Sequence, residues 1–408
     1  MNATVHVVGA GVAGLACALR LADSGRRVVL HEGSPGAGGR CRSLPDGGDN
    51  GTHALVGANR AALRFLERVG ARGGWVEPEP EGLPVLDLAT GKAARVSLSP
   101  LGWAAAGLRP AGVSLGALLA LARCALPWRD RPVAEVMARH PEFHRGFVEP
   151  LTVAALNTPA AEASSRRLGA VLLRAGGRAG ARLLVAREGL GPDMVEPALE
   201  ALRREGAEVR FGARLRRVAV EGGRAAALEF DGEAVPLDGG GGAAVLALPP
   251  WEASRLLPGL SVPLAHAPIV NLHFAHRTPG PVRFIGMLGA LCQWVLVRPG
   301  GVSVTVSAGD AEAREDAASL GPRAWAELRR AALAFDLPGP WPEAPAPCRV
   351  VKERRATPRH VPGAPPRPPR LPLANLALAG DWTHPALPAT IEASVLSGEA
   401  AARAVLRA

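Results

Sequence analysis

The 408 residues include no tyrosine and only two lysines, Lys92 and Lys352, so 45 of the 47 basic residues are arginine. Biased codon usage accounts for that skew more simply than an arginine-specific ligand. No long run of basic residues occurs, and no basic stretch interleaves with aromatics, which argues against nucleic-acid binding. The net charge of +10 still favours contact with an anionic surface. The five cysteines, Cys17, Cys41, Cys124, Cys292 and Cys348, are widely spaced and form no Cys-x-x-Cys pair. Neither a metal site nor a disulfide framework is expected, and reduced thiols in the cytoplasm are. No stretch reaches the roughly 18–20 apolar residues of a membrane span. The opening residues lack the basic leader of a signal peptide.

What is present is a globular composition, 48% apolar and 21% charged, in a chain long enough for two or three domains. Residues 4–8 form a short β-branched run. Gly9-Ala10-Gly11-Val12-Ala13-Gly14 follows at once, then a helical pattern over 15–22, then a second strand ending at Glu32. This is a βαβ opening carrying GxGxxG at the strand-to-helix turn. The first glycine permits the turn, the second lets backbone approach a pyrophosphate, and the third lets helix and strand pack closely. The phosphates would sit at the helix N-terminus. Glu32, 18 residues after Gly14, is placed to accept hydrogen bonds from ribose hydroxyls. Dinucleotide binding follows.

Two further pieces favour FAD over NAD(P). Gly38-Gly39-Arg40 lies in the loop after Glu32, where a guanidinium reaches toward a pyrophosphate. Near the other end, Gly380-Asp381-Trp382-Thr383 follows a strand at 376–379 and precedes a closing helix from about 389. An acidic residue there can hold ribityl or phosphate-side hydroxyls, and the helix N-terminus can stabilise negative charge on a reduced flavin. Between the two ends, residues 101–190 read as mostly helical. Helices are also expected at 61–69, 194–204 and 323–335. Strands are expected at 208–211, 214–220, 225–230 and 243–248 and across 269–308, with a glycine turn at 239–242.

These motifs resemble the flavin-containing amine oxidase and carotenoid desaturase superfamily. DNGTH (49–53), VAALNTP (153–159), VKERRAT (351–357) and AGDWTHPALPATIEASVLSG (379–398) extend the match. Together they resemble the hydroxysqualene dehydroxylases of hopanoid biosynthesis, over essentially the whole chain. One departure is His384-Pro385-Ala386, where that family has a Thr-Gly pair. The resemblance implies an α/β fold: a Rossmann-type FAD-binding domain (1–70, 187–262 and 350–408) with an interleaved α+β substrate domain (71–186 and 263–349). It implies FAD held by Gly9, Gly11, Gly14, Glu32, Gly38, Gly39, Arg40, Leu215, Gly380, Asp381, Thr390 and Ile391, with Leu215 meeting adenine through its backbone. It implies reduction of hydroxysqualene to squalene by hydride from reduced FAD. A carotenoid desaturase or amine oxidase on the same scaffold is the neighbouring reading. A flavin-binding assembly partner for terpenoid enzymes is another.

The proton for such a reaction has several candidate sources. His53 lies in the loop after Asp49-Asn50, and Glu149 precedes an apolar helix that could bury its carboxyl. Lys352 stands out where arginine is the rule, and Asn157 could orient substrate or flavin. No second GxGxxG occurs, so an external electron donor or reductase is expected. The substrate would be a long apolar isoprenoid. The apolar segment 113–126, with Trp128, Arg129 and Arg131 beyond it, reads as a buried helix or as a peripheral contact with the inner face of the cell membrane through 113–131.

Overall fold

Val5–Val8 is buried along its whole length, as a central parallel strand has to be. It pairs in parallel with Val28–Glu32 on one side and Ala243–Leu246 on the other. The computed structural model, which describes residues 4–45, 48–126, 129–175, 177, 179–237 and 242–408, extends this to five parallel strands. Their order is Leu376–Leu378, Ala243–Leu246, Val5–Val8, Val28–Glu32, Glu208–Phe211. The first strand of the chain is thus flanked by the next strand on one side and by one from the middle of the chain on the other. Trp128 and residues 239–241 of the expected glycine turn lie outside the described residues.

Helix Val12–Ala22 crosses over this sheet and packs against the closing helix Ile391–Val405 and helix Glu196–Arg204. Leu15, Leu21, Leu30, Leu66, Leu190 and Met194 share the core between them. A three-stranded antiparallel sheet, Leu215–Glu221, Arg224–Phe230 and Glu233–Pro236, covers the other side through Leu228 and Leu246.

The remaining chain builds a seven-stranded sheet in the order Cys348–Pro358, His266–Phe274, Gly301–Ser307, Trp294–Arg298, Arg283–Leu288, Leu83–Asp87, Ala93–Val96. Helix Ala317–Ala334 closes one face of it with Leu320, Trp325 and Leu328. That helix starts six residues earlier than the pattern suggests, because Asp316 caps it by accepting from Ala318 N and the chain carries Pro322 within the helix. The strand Cys348–Pro358, placed by the sequence at the start of the last FAD segment, pairs along its length with His266–Phe274 in this sheet. A separate cluster of short helices, including Leu115–Arg123, Glu149–Leu156 and Ser165–Arg174, packs around Phe143, Met137 and Leu168. The expected helical zone 101–190 is interrupted at its end by strand Leu183–Ala186.

Candidate functional site

Both ends of the chain and both large sheets meet at one cavity of about 1510 Å³. On one wall is the turn after Val5–Val8. At Gly14 a Cβ would sit 1.8 Å from the Gly9 carbonyl oxygen, so this glycine serves helix–strand contact and does not line the cavity. At Gly11 nothing stands within 4 Å of a Cβ position, and the residue faces the cavity. That bare backbone at a helix N-terminus is the form a pyrophosphate requires. Glu32 is fixed beside it: its Oε2 accepts from Ala10 N at 2.8 Å, and its Oε1 accepts from Ser34 N at 2.9 Å and Ser34 Oγ at 2.8 Å. A carboxylate has about four lone-pair sites, so one remains for a hydroxyl donor.

Arg40 joins the two termini. Its Nη2 donates to Asp381 Oδ2 at 2.7 Å and its Nη1 to the Ala356 carbonyl at 2.6 Å. Burial works against the Arg40 charge, but the facing Asp381 outweighs it and holds the guanidinium above its ordinary pKa. Asp381 also accepts from Trp382 N at 2.9 Å, so its two oxygens are held by backbone on one side and by Arg40 on the other. Gly9, Gly38, Gly39, Gly380, Thr390 and Ile391 line the same cavity. Thr390 caps the closing helix, accepting from Ala393 N at 3.2 Å. Leu215 also lines the cavity; its side chain is buried and its carbonyl accepts from Arg255 Nη2 at 3.0 Å. Bare backbone, a positioned acidic acceptor and an arginine beside it form a set that fits an FAD pyrophosphate and ribose.

The four residues weighed as acid–base groups fare differently. Lys352 does not reach the cavity. It pairs with Val270, whose side chain lies in the core under helix Ala317–Ala334, and its Nζ donates to the Glu315 carbonyl. The cavity face of this strand carries Glu353, Arg355 and Thr357. Glu149 lines the cavity but is exposed at the first turn of its helix, so the burial expected of it is missing. Asn157 is buried and fully engaged. Its Nδ2 donates to Ala267 O and Thr357 Oγ1, and its Oδ1 accepts from Ala308 N at 2.6 Å, pinning the helix end to the sheet.

His53 lines the cavity with Nδ1 3.0 Å from the Gly51 carbonyl. A carbonyl only accepts, so Nδ1 carries the proton and Nε2 is left as an acceptor. Burial lowers the His53 pKa, opposed by that bond. The neutral ring is therefore poorly suited to give up a proton at pH 7.

Sequence reading missed the polar floor that the seven-stranded sheet contributes. Asn271 Oδ1 accepts from Thr305 Oγ1 at 2.9 Å, its Nδ2 donates to the Asn50 carbonyl, and Gln293 bonds both ways with the Ser307 backbone. Strand alternation puts Ile269 and Asn271 on one face, opposite Ser307 and Thr305. It also missed Trp251, with Arg355 4.9 Å over its ring and His266 packed edge-on at 5.2 Å. The Pro-Pro-Trp run after a buried strand was the available signal. Much of the remaining wall is apolar, including Leu83, Val85, Leu98, Phe147, Leu151 and Met287, with charged residues such as Arg145, Arg174 and Arg323 at other points of the lining.

A dinucleotide cradle closed by the far end of the chain and opening on an apolar cavity defines a flavoprotein oxidoreductase. The pattern for flavin-containing amine oxidoreductases matches residues 12–406, and the chain belongs to that family, with FAD as its cofactor. It is 39% identical to a hydroxysqualene dehydroxylase of Rhodopseudomonas palustris over 100% of this chain and 99% of that one. A hydroxysqualene dehydroxylase of Sinorhizobium fredii is 36% identical over 98% of each chain. Cyclohexylamine oxidase from Brevibacterium oxydans shares the fold, with a TM-score of 0.71 at 16% identity over 100% of this chain and 99% of that one.

Proposed function

We propose that this protein removes the hydroxyl of hydroxysqualene reductively, giving squalene for hopanoid biosynthesis. The observation that carries the reading is the single cavity of about 1510 Å³ shared by the FAD cradle and an apolar wall. It exceeds the roughly 300–1,000 Å³ of an ordinary small-molecule site, leaving room for a dinucleotide and a second long molecule. The two full-length relatives carry the same activity in their names.

When bound and reduced, FAD supplies hydride. The substrate C–O bond breaks, a proton joins the departing hydroxyl to make water, and hydride completes the new C–H bond. This chain's residues hold the isoprenoid and exclude bulk water with Leu83, Val85, Phe147 and Leu151. The polar floor of Asn271, Thr305 and Ser307 offers a hydrogen-bonding place beside the apolar wall, where an allylic hydroxyl would sit. His53 Nε2 acts as an acceptor that orients this hydroxyl. Electrons reach the flavin from an external donor or reductase. The protein works in the cytoplasm against the inner face of the membrane, where such a substrate dissolves.

The test is an anaerobic single turnover of prereduced holoenzyme with hydroxysqualene. Flavin reoxidation with one squalene per flavin is expected. No reoxidation, together with oxidation of a carotenoid or an amine, would transfer the protein to the oxidase reading.

A further inference from the structure

Helix Leu115–Arg123 is built inside out on one side. Ala117, Ala120, Leu121 and Cys124 point into the helical cluster and are buried. The opposite stripe is also apolar: Leu115 is 74% exposed, Leu119 57% and, in the turn beyond, Leu126 46%. Gly116 and Ala122 on the same side are exposed as well. A surface helix ordinarily presents polar groups there.

The patch adjoins the cavity wall. Helix Ser165–Arg174 lies against the end of the first helix so closely that a Cβ on Gly169 would stand 1.9 Å from the Cys124 carbonyl oxygen. One turn further along that face, Leu173 is 69% exposed. The same helix turns Val171 and Arg174 toward the cavity.

The segment that carries the patch is basic, with carboxylates only at its margins, Asp130 just beyond it and Glu142 beside Gly112. Residues 88–129 contain Lys92, Arg95, Arg109, Arg123 and Arg129 and no aspartate or glutamate. Arg123 and Arg129 are exposed beside the leucines. Among the described residues no helix is long and apolar enough to cross a membrane. A second copy of this chain would bring the same cations face to face, whereas an anionic surface complements them.

We propose that the stripe Leu115, Leu119 and Leu126, with Arg123 and Arg129, docks the protein on a bilayer rich in anionic phospholipid. Leucines at this spacing enter the acyl boundary while the arginines meet the headgroups. This deepens the functional reading, since an isoprenoid dissolved in that bilayer would enter beside helix Ser165–Arg174. The docking itself rests on the patch and its charge.

The experiment is flotation of FAD-loaded full-length protein with vesicles of equimolar phosphatidylglycerol and phosphatidylcholine, against pure phosphatidylcholine, without substrate. Binding to the anionic vesicles is expected. Leu115→Glu with Leu119→Glu should weaken it by more than about tenfold, from loss of two buried leucines. Arg123→Gln and Arg129→Gln should each weaken it by about fivefold and flatten its salt dependence. Each variant should keep the flavin spectrum and thermal midpoint of the parent, which separates docking from folding.

Equal binding to neutral vesicles, or variants that bind like the parent, would overturn the proposal. So would a dimer in lipid-free solution that the leucine variants dissociate, which would assign the stripe to a second copy. Vesicle binding without turnover of hydroxysqualene would instead count against the substrate reading alone.

Discussion

Replacing Glu32 by glutamine tests the cradle with a change of one atom. The carboxylate accepts three hydrogen bonds, from Ala10 N on one oxygen and from Ser34 N and Oγ on the other. An amide has one accepting oxygen. If that oxygen faces Ser34, the amide nitrogen opposes the Ala10 N–H. If it faces Ala10, the Ser34 hydroxyl can turn to the Gly36 carbonyl, 2.6 Å away, but the Ser34 N–H is left opposed. Either way one backbone donor loses its acceptor, a cost of about 1–3 kcal/mol. At about 2.1 cal/mol/K of unfolding entropy per residue, that lowers the thermal midpoint of the apoprotein by about 1–4 °C. FAD loses a charge-assisted acceptor for a ribose hydroxyl, worth about 1.5–3 kcal/mol, so its affinity should fall by about 10- to 150-fold. Flavin fluorescence titration reads the affinity, and scanning calorimetry of the apoprotein reads the midpoint. A lowered midpoint with parental FAD affinity would make Glu32 purely structural. Parental values in both would refute the hydrogen-bond argument itself.

Lys352→Met should leave FAD affinity and the single-turnover rate unchanged, because the ammonium faces the Glu315 carbonyl away from the cavity; a slowed hydride step in stopped flow would contradict this. Asp49→Ala should cost about 3–5 kcal/mol in urea unfolding, since it removes the acceptor of the Leu190 N–H and of Arg298 Nη1, which is only 15% exposed; a loss below about 1 kcal/mol would place that pair among weak surface bridges. Burial lowers buried His31 to about 4 and buried His360 to about 3, against an ordinary value near 6.5. Below about pH 6.5 the unfolded chain takes up protons that the folded chain refuses, so stability is full above that pH and falls on acidification. Each histidine contributes up to about 1.4 kcal/mol per pH unit. Denaturant unfolding between about pH 7 and pH 5 measures the slope, and a flat profile would contradict it.

The FAD cradle is legible in the sequence because its demands are local. Gly11, Gly14 and Glu32 act within one βαβ unit, where spacing alone dictates geometry. The meeting of Arg40 with Asp381 is not local, yet each lies in a motif that names the same ligand. Lys352 shows where sequence reading stops. Lys352 faces away from the cavity while Glu353 and Arg355 face it, and the register shift between Ala267 and Ile269 helps set which face is which. A slip of one residue exchanges the faces, and nothing in VKERRAT reports it. Glu149 fails for a related reason, since a carboxylate at a helix start reads alike whether the helix end is covered or open. The polar floor was hidden because Asn271, Thr305 and Ser307 come together only through pairing of strands. The outward leucines of Leu115–Arg123 fitted either a buried helix or a membrane contact, because an apolar run does not say how many of its sides are covered.

The order of the parallel sheet carries a consequence for how the protein is made. Val5–Val8 leaves the ribosome early, but its neighbour Ala243–Leu246 follows more than two hundred residues later and Leu376–Leu378 later still. The nascent chain therefore carries its glycine turn beside an unpaired strand edge for most of translation. Loading of the prosthetic group has to wait for release, when the last helix seats and Asp381 arrives at Arg40. A chain cut short before residue 380 would emerge colourless and prone to aggregate, however intact its first thirty residues.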